Sequence, residues 1–488
     1  MGYDVVTFFP STGLDKPGAS VGLPLALLHA VSLVDKAGYR VRIIDQRVDK
    51  EWRETLRKSI GRNTLCLGVS SMTGTQIKGA LEASRLFKKH SKAPVVWGGI
   101  HPSLAPRQTL KNKHIDIAVI GEGEAVFLEL VNALRDNGDL SSIKGIGFKN
   151  RGEPQLTEAR DFEEIEAMPE LPYHLVNVEN YFLNLYQSKK TLSLLSGKGC
   201  PHQCAYCYNH IFNKSIWRGI SPERLLARVK KLASFGAKTI DLVDDNFFVN
   251  PKRVEEFCRL MIKADLKVKF LTNARADFLA RADLKYIRML YKAGFRELFI
   301  GVESGSNRVL KLIKKNTTVK QALKANRRLK QTGIKPVYSF MAGFPGETLE
   351  DVNKTIRLMI RLADENPEAS LTSLKVFTPY PGTELYNTCI KHGFKPPASL
   401  EEWSEFDYNS SMRHGWKSKA YNALLENLSY TTYFLDKRTM QSHLGDNAVL
   451  RMFISAYSSI VRLRCKHSFY SFTPEISLMK YLKKRMFR

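Results

Sequence analysis

Short runs of apolar and β-branched residues recur along the first 135 residues, and stretches of helical periodicity separate them. The runs predict strands over Tyr3–Phe9, Val41–Asp45, Leu65–Ser71, Val95–Gly98 and Ile115–Ile120. The periodic stretches predict helices over Leu23–Ala37, Gln76–Lys89 and Glu124–Leu134. Strands that alternate with helices indicate βαβ units and therefore a parallel sheet. We expect an α/β, Rossmann-like domain here.

The same alternation returns between residues 190 and 380. Strands are predicted over Thr191–Ser196, Thr239–Val243, Val268–Thr272, Glu297–Val302, Val337–Ala342 and Ser373–Phe377. Helices are predicted over Pro222–Phe235, Val254–Ala264, Leu284–Ala293, Val319–Thr332 and Thr348–Asp364. Six such repeats indicate a partial (β/α)6 barrel of the TIM type, whose functional residues lie where the strands end.

The remaining chain lacks this alternation. Residues 136–189 hold an acidic run and prolines, which indicate a linker, with one small hairpin predicted around Asn150-Arg151-Gly152. Residues 401–488 have helical patterns and a basic character. We therefore expect four regions: a Rossmann-like domain over 1–135, a linker over 136–189, a barrel over 190–400 and a basic helical region over 401–488.

Small residues gather at the predicted carboxyl ends of the first sheet. They are Ser70, Ser71, Thr73, Gly98, Gly99, Gly121 and Gly123. Parallel sheets bind ligands at this edge, and glycine lets a ligand approach the backbone closely. Ordinary βα turns also use glycine, but three such loops on one edge favour a ligand site.

Three of the seven cysteines lie within eight residues, directly after a predicted strand. Cys200, Cys204 and Cys207 have the spacing C-x3-C-x2-C. Thiolates are the soft ligands that iron–sulfur clusters need, and three of them leave one iron of a cubane open to another ligand. A zinc site with His202 or His210 as the fourth ligand is the alternative.

The cysteine segment closely resembles the signature of the radical S-adenosylmethionine (radical SAM) superfamily. The resemblance implies that Cys200, Cys204 and Cys207 hold a [4Fe–4S] cluster and that Tyr206 lies beside the adenine. In that family the amine and carboxylate of S-adenosylmethionine (SAM) chelate the open iron. An electron from the cluster then breaks the sulfonium bond and gives a 5′-deoxyadenosyl radical.

Other strand ends resemble further segments of this family. The resemblance implies that Asp244, Asp245 and Glu303 bind SAM, and that Arg275 contacts the substrate or the SAM carboxylate. An acidic pair that is solvated or caps its strand is the alternative for Asp244 and Asp245.

The first domain resembles the cobalamin-binding domain of class B radical SAM enzymes, through Gly98-Gly99-Ile100-His101-Pro102 and Gly121-Glu122-Gly123-Glu124. The D-x-H-x-x-G motif, whose histidine ligates cobalt in many cobalamin proteins, is missing: residues 45–49 contain no histidine. Many relatives lack it and still bind cobalamin, so the resemblance implies that the serine, threonine and glycine positions named above bind cobalamin. A domain that has lost cobalamin is the alternative.

The resemblance implies cobalamin-dependent methyl transfer to an unactivated carbon of a small-molecule or lipid substrate. It also implies a reducing partner such as flavodoxin or ferredoxin. A radical cyclase of the tetrapyrrole oxidative type and a non-catalytic cluster protein are the alternatives. A tRNA methylthiotransferase needs a cysteine triad in its first domain, and only Cys66 lies there.

The net charge of +27 favours an anionic partner. The alternative is a basic surface that binds no particular partner. The C-terminal region combines apolar residues such as Met452, Ile460 and Val461 with Lys483, Lys484 and Arg485. This pattern predicts either peripheral contact with an anionic membrane or a helical cap on the barrel. No nucleic-acid module is recognised, so no nucleic-acid partner is expected.

The chain shows no secretory signal and no uninterrupted apolar stretch of about 18 residues. The expected location is therefore the cytoplasm, with the inner membrane face as the site of any peripheral contact.

Overall fold

A computed structural model describes residues 2–185, 188–406, 416–436 and 448–470, together with Thr473 and Ile476. The first half of the chain forms a seven-stranded sheet. Its strands are β1 (Val5–Phe9), β2 (Val41–Asp45), β3 (Cys66–Ser70), β4 (Val95–Gly98), β5 (Ile117–Val119), β6 (Ile146–Asn150) and β7 (Glu153–Leu156). The strand order is β2-β1-β3-β4-β5-β6-β7, and the first five strands are parallel.

Helices cover both faces of this sheet. They are Leu25–Ala30, Ser32–Lys36, Trp52–Ser59, Gln76–His90, Ile100–Leu104, Pro106–Lys111 and Glu124–Asp136. Successive residues of β1, Val5 and Val6, are both fully buried, as expected for a strand that is covered on both faces. The single helix predicted over Leu23–Ala37 forms as two helices that meet at Val31.

The hairpin predicted in the linker forms, but it belongs to the first sheet. Strand β6 pairs antiparallel with β5, and β7 pairs antiparallel with β6. The sheet therefore continues beyond residue 135 to Leu156, because the hairpin strands satisfy the backbone groups along the open edge of β5.

The second sheet curls into a half-barrel. Its strands are β8 (Leu183–Leu185), β9 (Ser188–Leu194), β12 (Thr239–Leu242), β13 (Lys269–Ala274), β14 (Phe295–Glu303), β15 (Lys335–Ala342), β16 (Ser370–Leu371) and β17 (Lys375–Val376). The two strands between β9 and β12, which are β10 (Gly197–Lys198) and β11 (Arg218–Gly219), form a separate two-stranded hairpin. The order is β16-β15-β14-β13-β12-β9-β8, with β17 also pairing with β15. All these neighbours are parallel except β8, which is antiparallel to β9. The predicted fold class is confirmed.

Several helices around the half-barrel begin at a side chain that accepts a hydrogen bond from their first turn. Thr318 and Thr348 form complete capping boxes, and Ser221, Asn250 and Asp283 cap three other helices. The helices are Asn209–Phe212, Pro222–Ser234, Pro251–Ala264, Ala276–Arg281, Leu284–Lys292, Asn307–Leu312, Val319–Lys330, Leu349–Glu365 and Glu384–Lys391.

The C-terminal region packs on both halves of the molecule. The helix Leu400–Ser404 returns to the first domain, where Leu400 and Trp403 join its buried core. The helices Lys419–Thr431 and Ala448–Lys466 lie against the half-barrel. Within the described part of the chain, no helix has the length and apolar character needed to cross a membrane.

Candidate functional site

The three cysteines lie on the loop that follows β9 and the short strand β10, which we call the cysteine loop (residues 199–208). Gly199 begins it with a φ of +86°, a conformation that glycine adopts readily. A Cβ atom at Gly199 would overlap the backbone of Ile216, so the start of the loop is packed directly on the segment that leads into β11.

The environment of the thiols suits a metal cluster. Cys204 is buried, Cys200 and Cys207 are half-buried, and the Asn246 amide lies 3.8 Å from the Cys200 sulfur. Burial raises the pKa of the Cys200 thiol, and raises that of Cys207 to about 12. The proton of such thiols is displaced when a metal binds. The donor set therefore fits an iron–sulfur cluster.

The described residues contain no group of three or more His, Cys, Asp or Glu side chains close enough to hold one metal ion. A cubane cluster does not need that convergence, because each cysteine binds a different iron. His202 and His210, the two histidines weighed as zinc ligands, are both half-buried, and burial lowers the pKa of His202 to about 4.

Tyr206 and Glu303, which the resemblance placed near SAM, lie together. The Tyr206 hydroxyl donates to Glu303 Oε1 at 3.1 Å, and Lys315 Nζ donates to the same carboxylate oxygen at 2.8 Å. Glu303 and Lys315 are both more than nine-tenths buried. Lys315 was not predicted as a site residue, because nothing in its local sequence distinguishes it from the neighbouring lysines.

Glu303 is held at the end of β14 in a left-handed conformation with φ +68°. The pairing of β14 with β15 shifts register between Gly301 and Glu303. Side chains other than glycine rarely adopt this conformation, and such strain is concentrated at binding and catalytic sites. The shift turns the carboxylate towards the cysteine loop, where it meets Tyr206.

Asp244 and Asp245 have different surroundings. Asp244 is fully buried, accepts hydrogen bonds from the backbone and hydroxyl of Ser196 at 2.7 Å, and has a pKa raised to about 6 by burial. This arrangement is the strand-capping alternative. Asp245 accepts from the backbone of Gly199 at 3.0 Å and lines the large cavity described below.

Arg275 is buried at the end of β13. Its Nε lies 2.9 Å from Asp277, and its Nη2 donates to the carbonyl of Lys315 at 2.7 Å. Arg275 therefore holds the segment that carries Lys315, and its contact with a substrate or with SAM stays a prediction.

A cavity separates the carboxyl edge of the first sheet from the cysteine loop. Its space amounts to about 1400 Å³, including its opening to solvent. The predicted residues that line it are Ser70, Gly98, Gly99, Gly121 and Gly123. Across from them lie Lys198, Tyr208 and Asp245 of the second domain. We call this space the interdomain cavity.

Two predicted residues, Ser71 and Thr73, are not in the wall of this cavity. Ser71 is fully buried, and Thr73 makes a 2.9 Å hydrogen bond to Nδ1 of His101. Thr73 thereby fixes a histidine that packs edge-on against Trp403.

The glycines of the cavity wall keep it open for a large ligand. A Cβ at Gly121 would meet nothing within 4 Å, and at Gly98 or Gly123 it would make one ordinary contact at 3.8 Å. A side chain there would project into the space that a ligand fills. Asp45, from the region where the cobalt-ligating motif is absent, forms a buried ion pair with Arg47 at 2.6 Å and does not line the cavity. The wall of the interdomain cavity therefore suits a corrin that receives no cobalt ligand from residues 45–49.

Buried charges also line the cavity. Lys198 lies 2.5 Å from Glu124 and 3.3 Å from Glu122, and Nδ1 of His29 lies 3.5 Å from Glu124. Although burial opposes it, Lys198 and His29 hold the pKa of Glu124 well below its usual range. Burial likewise opposes the charge on Lys198, yet the two carboxylates raise its pKa. In this segment only Gly121 and Gly123 were predicted as binding residues, and the ion pairs of Glu122 and Glu124 were not.

Comparison with known families divides the chain in the same way. Residues 18–131 match the family model of the B12 binding domain, and residues 194–359 match that of the Radical SAM superfamily.

Two curated relatives illustrate the range of similarity. An uncharacterized methyltransferase of Pyrococcus horikoshii is 26% identical over 425 residues, which cover 86% of this chain and 90% of the relative. The anaerobic magnesium-protoporphyrin IX monomethyl ester cyclase of Cereibacter sphaeroides is 30% identical over 302 residues, 60% of this chain and 47% of the relative. The match thus spans about half the length of that cyclase.

A solved structure shares the fold. The cobalamin-dependent SAM radical enzyme OxsB, with aqua-cobalamin and SAM bound, superposes with a TM-score of 0.75 at 18% identity, covering 99% of this chain and 75% of its own. The match to the Radical SAM superfamily implies a [4Fe–4S] cluster and SAM, and the match to the B12 binding domain supports cobalamin, the three cofactors that the sequence predicted. The chain therefore belongs to the radical SAM enzymes that carry an N-terminal cobalamin-binding domain.

Proposed function

We propose that the protein transfers a methyl group from SAM, by way of cobalamin, to an unactivated carbon of its substrate. The observation that supports this most directly is the shared wall of the interdomain cavity. Gly98 and Gly121 of the first domain face Tyr208 of the cysteine loop and Asp245, which accepts a hydrogen bond from the first residue of that loop. A corrin in this cavity and SAM on the cluster would therefore border one reaction space.

When bound, the cluster would supply the reducing electron, SAM the radical and cobalamin the methyl carrier, while the protein orients them and excludes water. The net reaction consumes two SAM molecules and two electrons for each substrate C–H that becomes C–CH3. It releases 5′-deoxyadenosine, methionine and S-adenosylhomocysteine.

The described side chains have distinct tasks in this proposal. Cys200, Cys204 and Cys207 bind the cluster and leave one iron to SAM. Tyr206 and Glu303 hold the nucleoside or methionyl part of SAM, and the buried carboxylate accepts charge-assisted hydrogen bonds.

Radical SAM enzymes need a substrate and a source of electrons. We propose flavodoxin or ferredoxin as the electron donor, and a small molecule or a lipid as the substrate. The residues that select the substrate differ among proteins of one fold, so the fold does not name it.

The proposal can be tested without a known substrate. Purified protein, reconstituted without oxygen, should bind hydroxocobalamin with a change in absorbance. After reduction it should convert SAM with a deuterated methyl group into labelled methylcobalamin and S-adenosylhomocysteine. Reconstituted protein that binds no hydroxocobalamin, or that binds it and forms no labelled methylcobalamin, would contradict the methyltransferase proposal.

Radical cyclisation is the second candidate, favoured by the 30% identity to the cyclase over 302 residues. A cyclase joins two atoms of its substrate and adds no carbon. Incubation with methyl-labelled SAM and a cell extract therefore separates the candidates: a product that carries the label supports methyl transfer, and a product that lacks it supports cyclisation.

We also propose that the helix Ala448–Lys466 contacts an anionic membrane. Met452, Ile460 and Leu463 lie on its outer face and are 71%, 55% and 60% exposed. Basic residues follow in the sequence, although Lys483, Lys484 and Arg485 lie outside the described residues. Apolar contact combined with positive charge is how such helices bind anionic lipid.

Co-sedimentation with vesicles tests this contact. Leu463→Glu and a deletion of residues 470–488 should each reduce binding to phosphatidylglycerol vesicles, whereas Ile262→Glu, at a 45% exposed position on another helix, should not. Equal binding of all these proteins would leave the helix as a cap on the half-barrel.

A further inference from the structure

Four charged side chains from the two domains meet at the interdomain cavity, and three of them, Glu122, Glu124 and Lys198, line its wall. Lys198 binds both Glu124 and Glu122, at 2.5 and 3.3 Å. The Arg218 guanidinium donates two parallel hydrogen bonds, of 2.8 and 2.7 Å, to the Glu122 carboxylate. Between 6% and 16% of each side chain is exposed. We call this group the latch (Glu122, Glu124, Lys198 and Arg218).

The latch joins the elements that border the two cofactor sites. Lys198 stands two residues before Cys200, and it pairs across the β10–β11 hairpin with Arg218. Glu122 lies in the turn that leads from β5 into the helix Glu124–Asp136, and Glu124 is the first residue of that helix. The same turn contributes Gly121 and Gly123 to the cavity wall. One ionic group therefore connects the wall of the cavity to the base of the cysteine loop.

Burial decides what such a group contributes. Removing two charges from water costs about as much as their attraction returns, so a buried ion pair adds little net stability. Breaking it on one side is expensive, because a buried charge is left without a partner. A buried ionic group of this kind therefore fixes the position of one element relative to another. The turn after β5 and the β10–β11 hairpin have to move together, because separating them would break the buried ion pairs.

We propose that the latch couples the two cofactor sites, with Lys198 as its central positioning residue. A ligand that orders the turn at Gly121 and Gly123 orders the hairpin through the two glutamates, and hence the base of the cysteine loop. Because coupling between sites is reciprocal, an assembled cluster strengthens cobalamin binding by the same factor. The inference rests on the proposed function only in requiring that both cofactors bind.

The test measures binding rather than turnover. Hydroxocobalamin is titrated into anaerobic protein with and without a reconstituted cluster, and the two dissociation constants are compared. Wild-type protein should bind about 5-fold or more tightly when the cluster is present, as is typical of coupled sites. Lys198→Met should bring this ratio close to one, and Lys198→Arg, which keeps the charge, should restore most of it.

Matched variants control for general effects. Lys144→Met breaks the exposed 2.9 Å pair with Glu158 on the first domain and should leave the ratio at the wild-type value. If Lys198→Met does not fold, Glu122→Gln tests the same coupling, because Glu122 contacts both basic residues.

The outcomes separate the two proposals. Wild-type protein that binds hydroxocobalamin equally with and without the cluster overturns the latch and leaves the proposed function standing. A Lys198→Met protein that folds and keeps the wild-type ratio of the two dissociation constants also overturns the coupling role of the latch and leaves the proposed function standing. Wild-type protein that binds no hydroxocobalamin in either state overturns both.

Discussion

At the scale of single residues, the site depends on charges that are buried and paired. Glu303 is held in a left-handed conformation, and its carboxylate receives hydrogen bonds from Tyr206 and Lys315. Positions of this kind cost about 1–3 kcal/mol of backbone strain and persist where the surroundings enforce them. We interpret the strain at Glu303 as the cost of presenting a carboxylate beside the cluster.

The first prediction concerns this carboxylate. Glu303→Gln keeps the shape of the side chain but removes the charge, which is worth about 1.5–3 kcal/mol in a hydrogen bond to an ionised group. We expect SAM to bind roughly 10-fold or more weakly to the reconstituted protein, with the cluster content unchanged. Equilibrium dialysis with labelled SAM measures this.

The matched control is Glu384→Gln, which removes a half-exposed carboxylate paired with Lys314 at 2.5 Å. It should leave SAM affinity unaltered. Wild-type affinity in Glu303→Gln would remove Glu303 from the SAM site.

The second prediction concerns pH. Burial raises the pKa of Glu297, on β14, from 4.5 to about 7. Since its pKa is higher in the folded than in the unfolded chain, the folded state binds more protons between these values. The contribution of Glu297 to the free energy of unfolding is therefore greatest below pH 4.5 and is lost as the pH rises through about 7.

Glu297→Gln should flatten this dependence. Urea unfolding of wild type and variant, compared at about pH 5 and about pH 8, measures it. The variant should lose less stability across that range than wild type. Parallel profiles for the two proteins would contradict a raised pKa at this position.

Residues whose local pattern is distinctive could be predicted as site residues from the sequence. The cysteine spacing stands out in any chain, and Glu303 follows a strand within a recognisable segment. Lys315 was missed because its contact with Glu303 arises only when the chain returns from the helix Asn307–Leu312. Asp244 was predicted either to bind SAM or to cap its strand, and only its burial and its hydrogen bonds show that it binds Ser196.

At the scale of elements, the cysteine loop is shaped by the small hairpin beneath it. Strands β10 and β11 hold only two residue pairs, Gly197 with Gly219 and Lys198 with Arg218. So short a ladder is not stable alone, and it depends on the contacts around Gly199 and on the latch.

The third prediction tests the packing at Gly199. Gly199→Ala would combine a left-handed φ of +86° with overlap between the new Cβ and the backbone of Ile216. We expect the variant to lose most of its cluster on reconstitution, as measured by iron content and visible absorbance.

Gly236→Ala is the control, because Gly236 has a similar φ of +97° but nothing within 4 Å of its Cβ position. It should lose about 1–2 kcal/mol of stability from the conformation alone and keep its cluster. A normal cluster in Gly199→Ala would show that the loop tolerates displacement.

Element prediction succeeded where periodicity was long and uniform. The helix predicted over Thr348–Asp364 forms over Leu349–Glu365, because its apolar stripe and its capping threonine agree. The helix predicted over Leu23–Ala37 divides at Val31. The linker hairpin pairs with β5, a choice of partner that its own alternation does not encode.

At the scale of the whole molecule, the C-terminal region ties the two domains together. The Trp403 indole donates to Gln108 at 2.7 Å, and Gln108 donates to the carbonyl of Pro397 at 2.9 Å. Trp403 is 1% exposed and packs with the core of the first domain. This contact sets the first domain, and with it one wall of the interdomain cavity, against the barrel.

The fourth prediction concerns Trp403. Trp403→Ala removes a fully buried ring, a change that typically costs about 3–5 kcal/mol. Hydrogen exchange should increase in the helix Gln76–His90, against which the helix Leu400–Ser404 packs. Phe469→Ala, at a 49% exposed ring, should change neither stability nor exchange. Unchanged exchange in Trp403→Ala would contradict a tying role.

The two domains and their order were predictable from the sequence, because each has its own repeating pattern. Their docking was not, since it depends on pairs such as Trp403 with Gln108 and Arg218 with Glu122, which are distant in the chain. The latch escaped prediction for the same reason.

Every step of the proposed reaction requires that Cys200, Cys204 and Cys207 hold a cluster with one iron left open to SAM. Electron paramagnetic resonance of the anaerobically reconstituted, reduced protein measures this. We expect a [4Fe–4S] signal that changes on addition of SAM, accompanied by release of 5′-deoxyadenosine, and the loss of both in Cys204→Ala. A signal that SAM leaves unaltered, or a site that contains zinc, would contradict the account.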